Sequence, residues 1–177
     1  MLTKIHKGYQ ELAKVGLISD TQPKIYGAQA TGCSPISTAQ KAGLDFFKPV
    51  KANTIAKSLA IGTPADGFYA LKVMRDTGGC AEDVTDDEIR DAIKLLAETE
   101  GIFAETAGGV TVGVAKKLIA SGRIPHDSSA VICVTGNGLK TLDAMQGHCG
   151  KTREIKPSLR EFEALIANDT TVHAAAA

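Results

Sequence analysis

Apolar positions recur at helical spacing from the first residues onward. Leu2, Ile5, Tyr9, Leu12 and Ala13 share one face, and lysines with Glu11 occupy the other. Gly16 predicts the end of that helix. His6 falls among the lysines and is read as part of a solvated face. A short buried strand is predicted over 24–30. Ser34 and Pro35 then open a helix as N-cap and first helical residue. Residues 44–64 have no clear period. A helix is predicted over 65–75, stopped by Gly78 and Gly79, and a strand over 80–84. Thr85-Asp-Asp-Glu88 has the spacing of a capping box, in which hydroxyl and carboxylate each satisfy the other residue's amide. Ile89, Ile93 and Leu96 continue that helix as its apolar stripe, and Gly101 ends it. Residues 102–104 suit a short strand, and 107–120 a helix with Val110, Val114 and Leu118 inward, closed by Gly122. Ala130-Val-Ile-Cys-Val134 is an apolar, β-branched run expected to form a strand buried on both faces. A short amphipathic helix is expected over 158–167.

Helices alternating with short apolar strands predict an α/β fold, an open, mostly parallel sheet with helices on both faces. The expected organisation is one functional portion, 1–167, followed by a terminal tail, 168–177, that carries no packing pattern.

Composition narrows the function classes. The 177 residues are 44% hydrophobic and 23% charged, with 20 basic against 20 acidic side chains. Such a balance gives no electrostatic pull toward nucleic acid or an anionic membrane. Without Trp, and with three Tyr and five Phe, stacking platforms for bases are not expected. The four cysteines, Cys33, Cys80, Cys133 and Cys149, have no metal-site spacing. Free thiols, no metal, no membrane and a cytoplasmic setting are the expectations.

Parallel sheets bind ligands at the carboxyl ends of their strands, and two segments qualify. In Thr135-Gly-Asn-Gly138 a hydroxyl follows the apolar run. Gly136 and Gly138 would let backbone approach a ligand. The plainer alternative is a strand-end turn whose hydroxyl serves local backbone. In Gly101-Ile-Phe-Ala-Glu-Thr-Ala-Gly-Gly109, Glu105 arrives where a helix begins, and Thr106 is a candidate cap. Glu105 reads either as a ligand-facing carboxylate or as complement to the helix dipole. His126 and His148 have no partner at ligand spacing. Asp83, Asp86 and Asp87 resemble a metal cluster only until the capping box is taken into account. Lys140 is a candidate for an anionic group, though a solvated lysine is the ordinary outcome.

The ordered series of segments resembles the threonine synthases, fold-type II (β-family) pyridoxal-phosphate enzymes, over about 3–152. Its carriers are Lys7-Gly-Tyr-Gln-Glu-Leu12, Ile25-Tyr-Gly-Ala-Gln-Ala30, Ser58-Leu-Ala-Ile-Gly-Thr-Pro64, Val84-Thr-Asp-Asp-Glu-Ile89, Glu100-Gly-Ile-Phe-Ala-Glu105 and Val134-Thr-Gly-Asn-Gly-Leu-Lys140. The resemblance implies pyridoxal phosphate as cofactor, conversion of O-phosphohomoserine and water to threonine and phosphate, and a homo-oligomer. It implies that Thr135 pairs with the pyridine nitrogen, that Gly136 and Gly138 shape the loop, and that Glu105 lies on the wall near the cofactor. Two departures matter. The family's Schiff-base lysine lies in a Ser-Phe-Lys-Asp type motif, which this sequence lacks, as it lacks a glycine loop before the first helix. Where the family often has Pro-Ala-Ser after the Glu, this chain has Thr106-Ala-Gly-Gly109. The expectation is therefore the C-terminal part of such an enzyme, inactive alone. Threonine dehydratase, cysteate synthase and a non-catalytic interaction module remain the alternatives.

Overall fold

The computed structural model describes residues 1–19, 23–150 and 153–168. The chain divides into two units, Met1–Gln146 and Gly147–Ala177.

In the first unit, helix α1 (Leu2–Lys14) precedes strand β1 (Gly27–Ala30) and helix α2 (Pro35–Lys41). Helix α3 (Gly67–Asp76) leads to strand β2 (Ala81–Val84) and the long pair α4 (Asp86–Glu100) and α5 (Thr106–Ala120). A 3-10 turn, Gly138–Thr141, and the short helix α6 (Leu142–Met145) complete the unit. In the second unit, helix α7 spans Leu159–Asn168. At its start Glu161 N–H donates to Ser158 Oγ (3.4 Å), while its carboxylate accepts from Lys156 N–H (2.8 Å). The rest of the expected tail, 169–177, lies outside the described residues.

Strands β1 and β2 pair in parallel, Gly27 against Ala81 through Ala30 against Val84. Alternation along β2 sends its side chains to two different cores. Val84 joins Ala30 of β1 and Ile89, Ile93, Val110, Val114 and Leu118, the inward residues of α4 and α5. Ala81 joins Ala39, Leu71 and Met74 of α2 and α3. The sheet is thus covered by helices on both faces, as the sequence predicts. Val84, Ile89 and Val110 are fully buried, each burial contributing about 1.5–3 kcal/mol.

Local chemistry explains the element ends. Both bonds of the capping box form: Glu88 N–H donates to Thr85 Oγ1 (3.3 Å) and Thr85 N–H to Glu88 Oε2 (2.8 Å). Gly101 closes α4 in the left-handed region, φ 67°, where only glycine is unstrained. The acidic group at 83–87 is fully engaged. Asp83 accepts from Thr31, Ser37 and Lys41 at 2.7–2.8 Å. Asp86 accepts from Thr54 Oγ1 (2.6 Å) and Ile55 N–H, and Asp87 from Arg90 (2.7 Å).

Several expectations are corrected. Residues 130–134 form no strand: Val131 is 89% and Ile132 42% exposed. A strand needs a neighbour for its backbone groups, and among the described residues the sheet has two strands, which pair with each other and not with this segment. Residues 102–104 also form no strand, keeping one antiparallel bridge, Ala104 to Asn137. His6 is buried at 9% exposure, with Nδ1 unpartnered, whereas Ile5, Tyr9 and Leu12 of the predicted stripe are exposed. Helix α1 contacts α3, and Leu2 packs on the Leu71–Met74 core, so the buried face is rotated from the apolar stripe. Ser34 holds the N-cap position of α2, but its hydroxyl donates to Thr31 C=O (3.3 Å) instead of capping.

Candidate functional site

The two segments singled out by sequence meet. Glu105 N–H donates to Gly136 C=O (3.0 Å), and Gly138 N–H donates to Phe103 C=O (2.9 Å). The Ala104–Asn137 bridge lies between these bonds. The loop 135–138 therefore runs antiparallel to 103–105, immediately before α5 begins.

Glycine lets two side chains lie close against the backbone at this crossing. A Cβ on Gly136 would fall 2.0 Å from Glu105 Oε1, and one on Gly138 2.5 Å from the Phe103 ring. Both contacts are far inside ordinary van der Waals separation. The glycines here admit the neighbouring side chains against the loop backbone. Asn137 secures the turn by accepting from Leu139 N–H at 2.9 Å, an Asx arrangement.

Glu105 is the N-cap residue of α5 but does not cap it, since its side chain accepts from no helix amide. Thr106, the cap expected from sequence, is the first helical residue instead. The Glu105 carboxylate is 9% exposed and turned toward Gly136, with Lys140 Nζ 3.9 Å from Oε2 as its salt-bridge partner. A carboxylate at a helix start ordinarily accepts from the second or third amide. Here that acceptor capacity faces the loop. Next to it, the hydroxyl of Thr106 is fully buried and has no hydrogen-bond partner.

Thr135 is exposed at the head of the loop. It does not sit at the end of a formed strand, because 130–134 is not one. It is nevertheless adjacent in chain to the Gly136–Glu105 contact, so the structure brings Thr135, Gly136, Gly138 and Glu105 to one corner. That corner lies at the start of α5, where the positive end of the helix dipole points.

Residues that pattern did not single out tie the corner in place. Thr106 N–H donates to Thr141 Oγ1 (3.2 Å), and Arg90 Nε donates to Ala144 C=O (3.0 Å). Gly138 packs on Phe103. An arginine on a surface helix and a threonine in a loop carry no periodic signal, so only the three-dimensional arrangement reveals them.

A groove of about 290 Å³ lies elsewhere and is lined by Gln40, Lys41, Cys80, Glu82, Ser121 and Arg123 among others. It adjoins Ala81, the amino end of β2. Ligands of parallel sheets gather at the carboxyl ends. Its lysine is already engaged: Lys41 bonds Glu82 and Asp83. Size alone therefore does not favour it over the 105/135 corner.

Comparison with known proteins bears on the family of the chain. A family model described as pyridoxal-phosphate dependent enzyme matches residues 1–136. The chain is 42% identical over 144 residues to the threonine synthase of Methanocaldococcus jannaschii, covering 81% of this chain and 35% of that protein. It is 41% identical over 140 residues to the threonine synthase of Methanosarcina acetivorans, covering 78% of this chain and 34% of that protein. The chain spans about a third of the length of the curated relatives it matches. Among solved structures, maize serine racemase superposes with a TM-score of 0.56 at 24% identity, covering 82% of this chain and 45% of that chain. Serine racemase from Dictyostelium discoideum gives 0.54 at 21%, covering 77% and 40%. These two likenesses show the fold alone, that of fold-type II pyridoxal-phosphate enzymes. Given the match over 1–136, the chain belongs to the pyridoxal-phosphate dependent enzyme family.

Proposed function

We propose that this chain supplies one wall of the cofactor site in a threonine synthase, which converts O-phosphohomoserine and water to threonine and phosphate. The observation that carries the reading is the meeting of Glu105 with the 135–138 loop. Two polar groups there lack the hydrogen bonds their positions would ordinarily provide: the Glu105 carboxylate, turned away from its own helix, and the buried Thr106 hydroxyl. A buried polar group without a partner costs about 1–3 kcal/mol, and a ligand at this corner would relieve that cost. The donor set suits pyridoxal phosphate, which contributes an electron-withdrawing ring when bound.

Each side chain has a defined part in the reading. The Thr135 hydroxyl would hold the pyridine nitrogen by a neutral hydrogen bond, which would leave that nitrogen largely unprotonated. Gly136 and Gly138 keep Cβ atoms out of the approach. Glu105 presents an acceptor on the wall, and Lys140 moderates its charge from 3.9 Å. The sequence contains no Ser-Phe-Lys-Asp motif, so the covalent attachment of the cofactor is assigned to residues outside this chain. The complete enzyme is read as a cytoplasmic homo-oligomer.

The test is phosphate release from O-phosphohomoserine. The purified chain with added cofactor is expected to give none above background. Co-expression with the N-terminal portion of a related threonine synthase, carrying the lysine, is expected to restore both cofactor absorbance and release. Sustained release by the chain alone, or a co-purified pair that never takes up cofactor, would overturn the reading.

A further inference from the structure

We infer that Thr141 is a positioning residue for Glu105: by accepting from the first amide of α5 it holds the 135–138 loop against the helix start, and so keeps the Glu105 carboxylate facing the loop. The inference rests on the proposed role of that corner as a ligand wall, and it extends the role to a residue no sequence pattern marks.

The first turn of a helix leaves amide donors without intrahelical partners. In α5, a helix of 15 residues, the residue placed to serve them is Glu105. Its backbone carbonyl accepts the first intrahelical bond, from Gly109 N–H (3.1 Å), which leaves the amides of Thr106, Ala107 and Gly108 to be served by other groups. Its side chain serves none of them. The amide of Thr106, the first in the helix, instead donates to Thr141 Oγ1, 35 residues further along the chain, at 3.2 Å. Thr141 closes the turn that follows the loop, Gly138–Thr141. This bond is a third tie between the 135–141 segment and the start of α5, after Glu105 N–H to Gly136 C=O and Gly138 N–H to Phe103 C=O. The three ties fix the distance between loop and helix. They leave Glu105 the narrow space beside Gly136, where a Cβ would fall 2.0 Å from its Oε1.

The competing conformation is specific. If Thr141 released Thr106, the loop could draw away from the helix. Glu105 could then swing back to accept from Ala107 or Gly108, the amides that an N-cap side chain ordinarily serves. Thr141 therefore decides whether the Glu105 carboxylate faces the loop or its own helix. It touches neither ligand nor reacting atoms in this account, and it acts through Glu105.

Amide hydrogen exchange read by NMR on the chain itself separates this role from plain scaffolding, without cofactor. Thr141→Val keeps shape and removes the acceptor. Exchange at Thr106 is expected to speed up by on the order of tenfold, while Ala107 or Gly108 slows as Glu105 caps. Thr141→Ser should restore the original pattern, and Thr141→Val with Glu105→Ala should abolish the slowing. If Thr141→Val instead speeds exchange across the whole first turn, or changes nothing, the inference fails and Thr141 is scaffolding. Should Thr141→Val not fold, Thr141→Ala is read in the same way, and Glu105→Ala checks the state of the carboxylate. Unchanged exchange at Ala107 and Gly108 supports an uncapping carboxylate, whereas faster exchange there shows that Glu105 already caps and overturns the inference. None of these outcomes depends on whether pyridoxal phosphate binds, so the proposed function stands or falls separately on phosphate release.

Discussion

Thr135 and Gly136 are neighbours with opposite sensitivities. Thr135 is exposed. Thr135→Val should leave the melting transition of the isolated chain within about 0.5 kcal/mol of the original, as surface substitutions do. In the complemented enzyme the same change removes a neutral hydrogen bond of about 0.5–1.5 kcal/mol and leaves a ring nitrogen unpaired. Cofactor affinity should then fall on the order of tenfold, measured by titrating the absorbance of bound cofactor. Unchanged affinity would return Thr135 to the plainer reading, a turn residue serving local backbone. Gly136 behaves the other way. A methyl group there would fall 2.0 Å from Glu105 Oε1, so Gly136→Ala must push that carboxylate out of its buried position and should destabilise the chain by about 1 kcal/mol, visible in denaturant unfolding before any ligand is added. The motif residues thus divide into one whose worth lies in a ligand and one whose worth lies in the fold.

At the scale of elements, the most legible feature is α4. Thr85→Ala removes one bond of the capping box and should cost about 1 kcal/mol, seen as a lower urea midpoint with unchanged slope. Equal midpoints would mean that the box adds nothing in this context. The box was readable because its chemistry is local: four consecutive residues hold the whole instruction. The same holds for Gly101 at the C-cap and for the inward stripe Val110, Val114 and Leu118. Other elements take their state from distant partners. Residues 130–134 have a strand's composition, yet they form none because no neighbouring strand pairs with them among the described residues. The face of α1 is chosen by α3, so His6 goes inward while Ile5, Tyr9 and Leu12 stay exposed. The site was legible in the same measure. Its glycines, Thr135 and Glu105 stand out in the sequence, but their meeting depends on the Ala104–Asn137 bridge and on Thr141, which only the folded chain displays.

Across the molecule, the sheet is locked by charge and the surface is left partly apolar, and each has a measurable consequence. Burial opposes ionisation of Asp83, but hydrogen bonds from Lys41, Ser37 and Thr31 outweigh it and hold the carboxyl below its usual range. Glu88 is likewise held low against burial by Lys117 and the Thr85 amide. A carboxyl depressed in the folded state stabilises above its unfolded pKa, about 4. That stabilisation disappears as pH falls through the lower folded value. Unfolding midpoints should therefore be flat from about pH 7 to 5 and drop steeply below about 4. Asp83→Asn should lower the midpoint at neutral pH and flatten the acid drop, and an unchanged drop would remove Asp83 as its cause. The surface argues for association. Val131, Leu139 and Leu142 stand exposed within a dozen residues of one another, together with Ile132, and the formal net charge is zero, so no long-range repulsion keeps copies apart. Unpaired strand-forming sequence is a template for a second chain, and exposed apolar side chains add to its pull on a partner. The chain is therefore expected to self-associate through 130–142, with the weight-average mass in sedimentation rising as concentration rises. Val131→Lys should suppress that rise without lowering the melting temperature, because the side chain is 89% exposed and buries nothing within its own copy. A monomer at high concentration before any substitution would refute the expectation outright. Association that persists unchanged in Val131→Lys would move the contact to another face, of which the exposed stripe of α1 is the next to test.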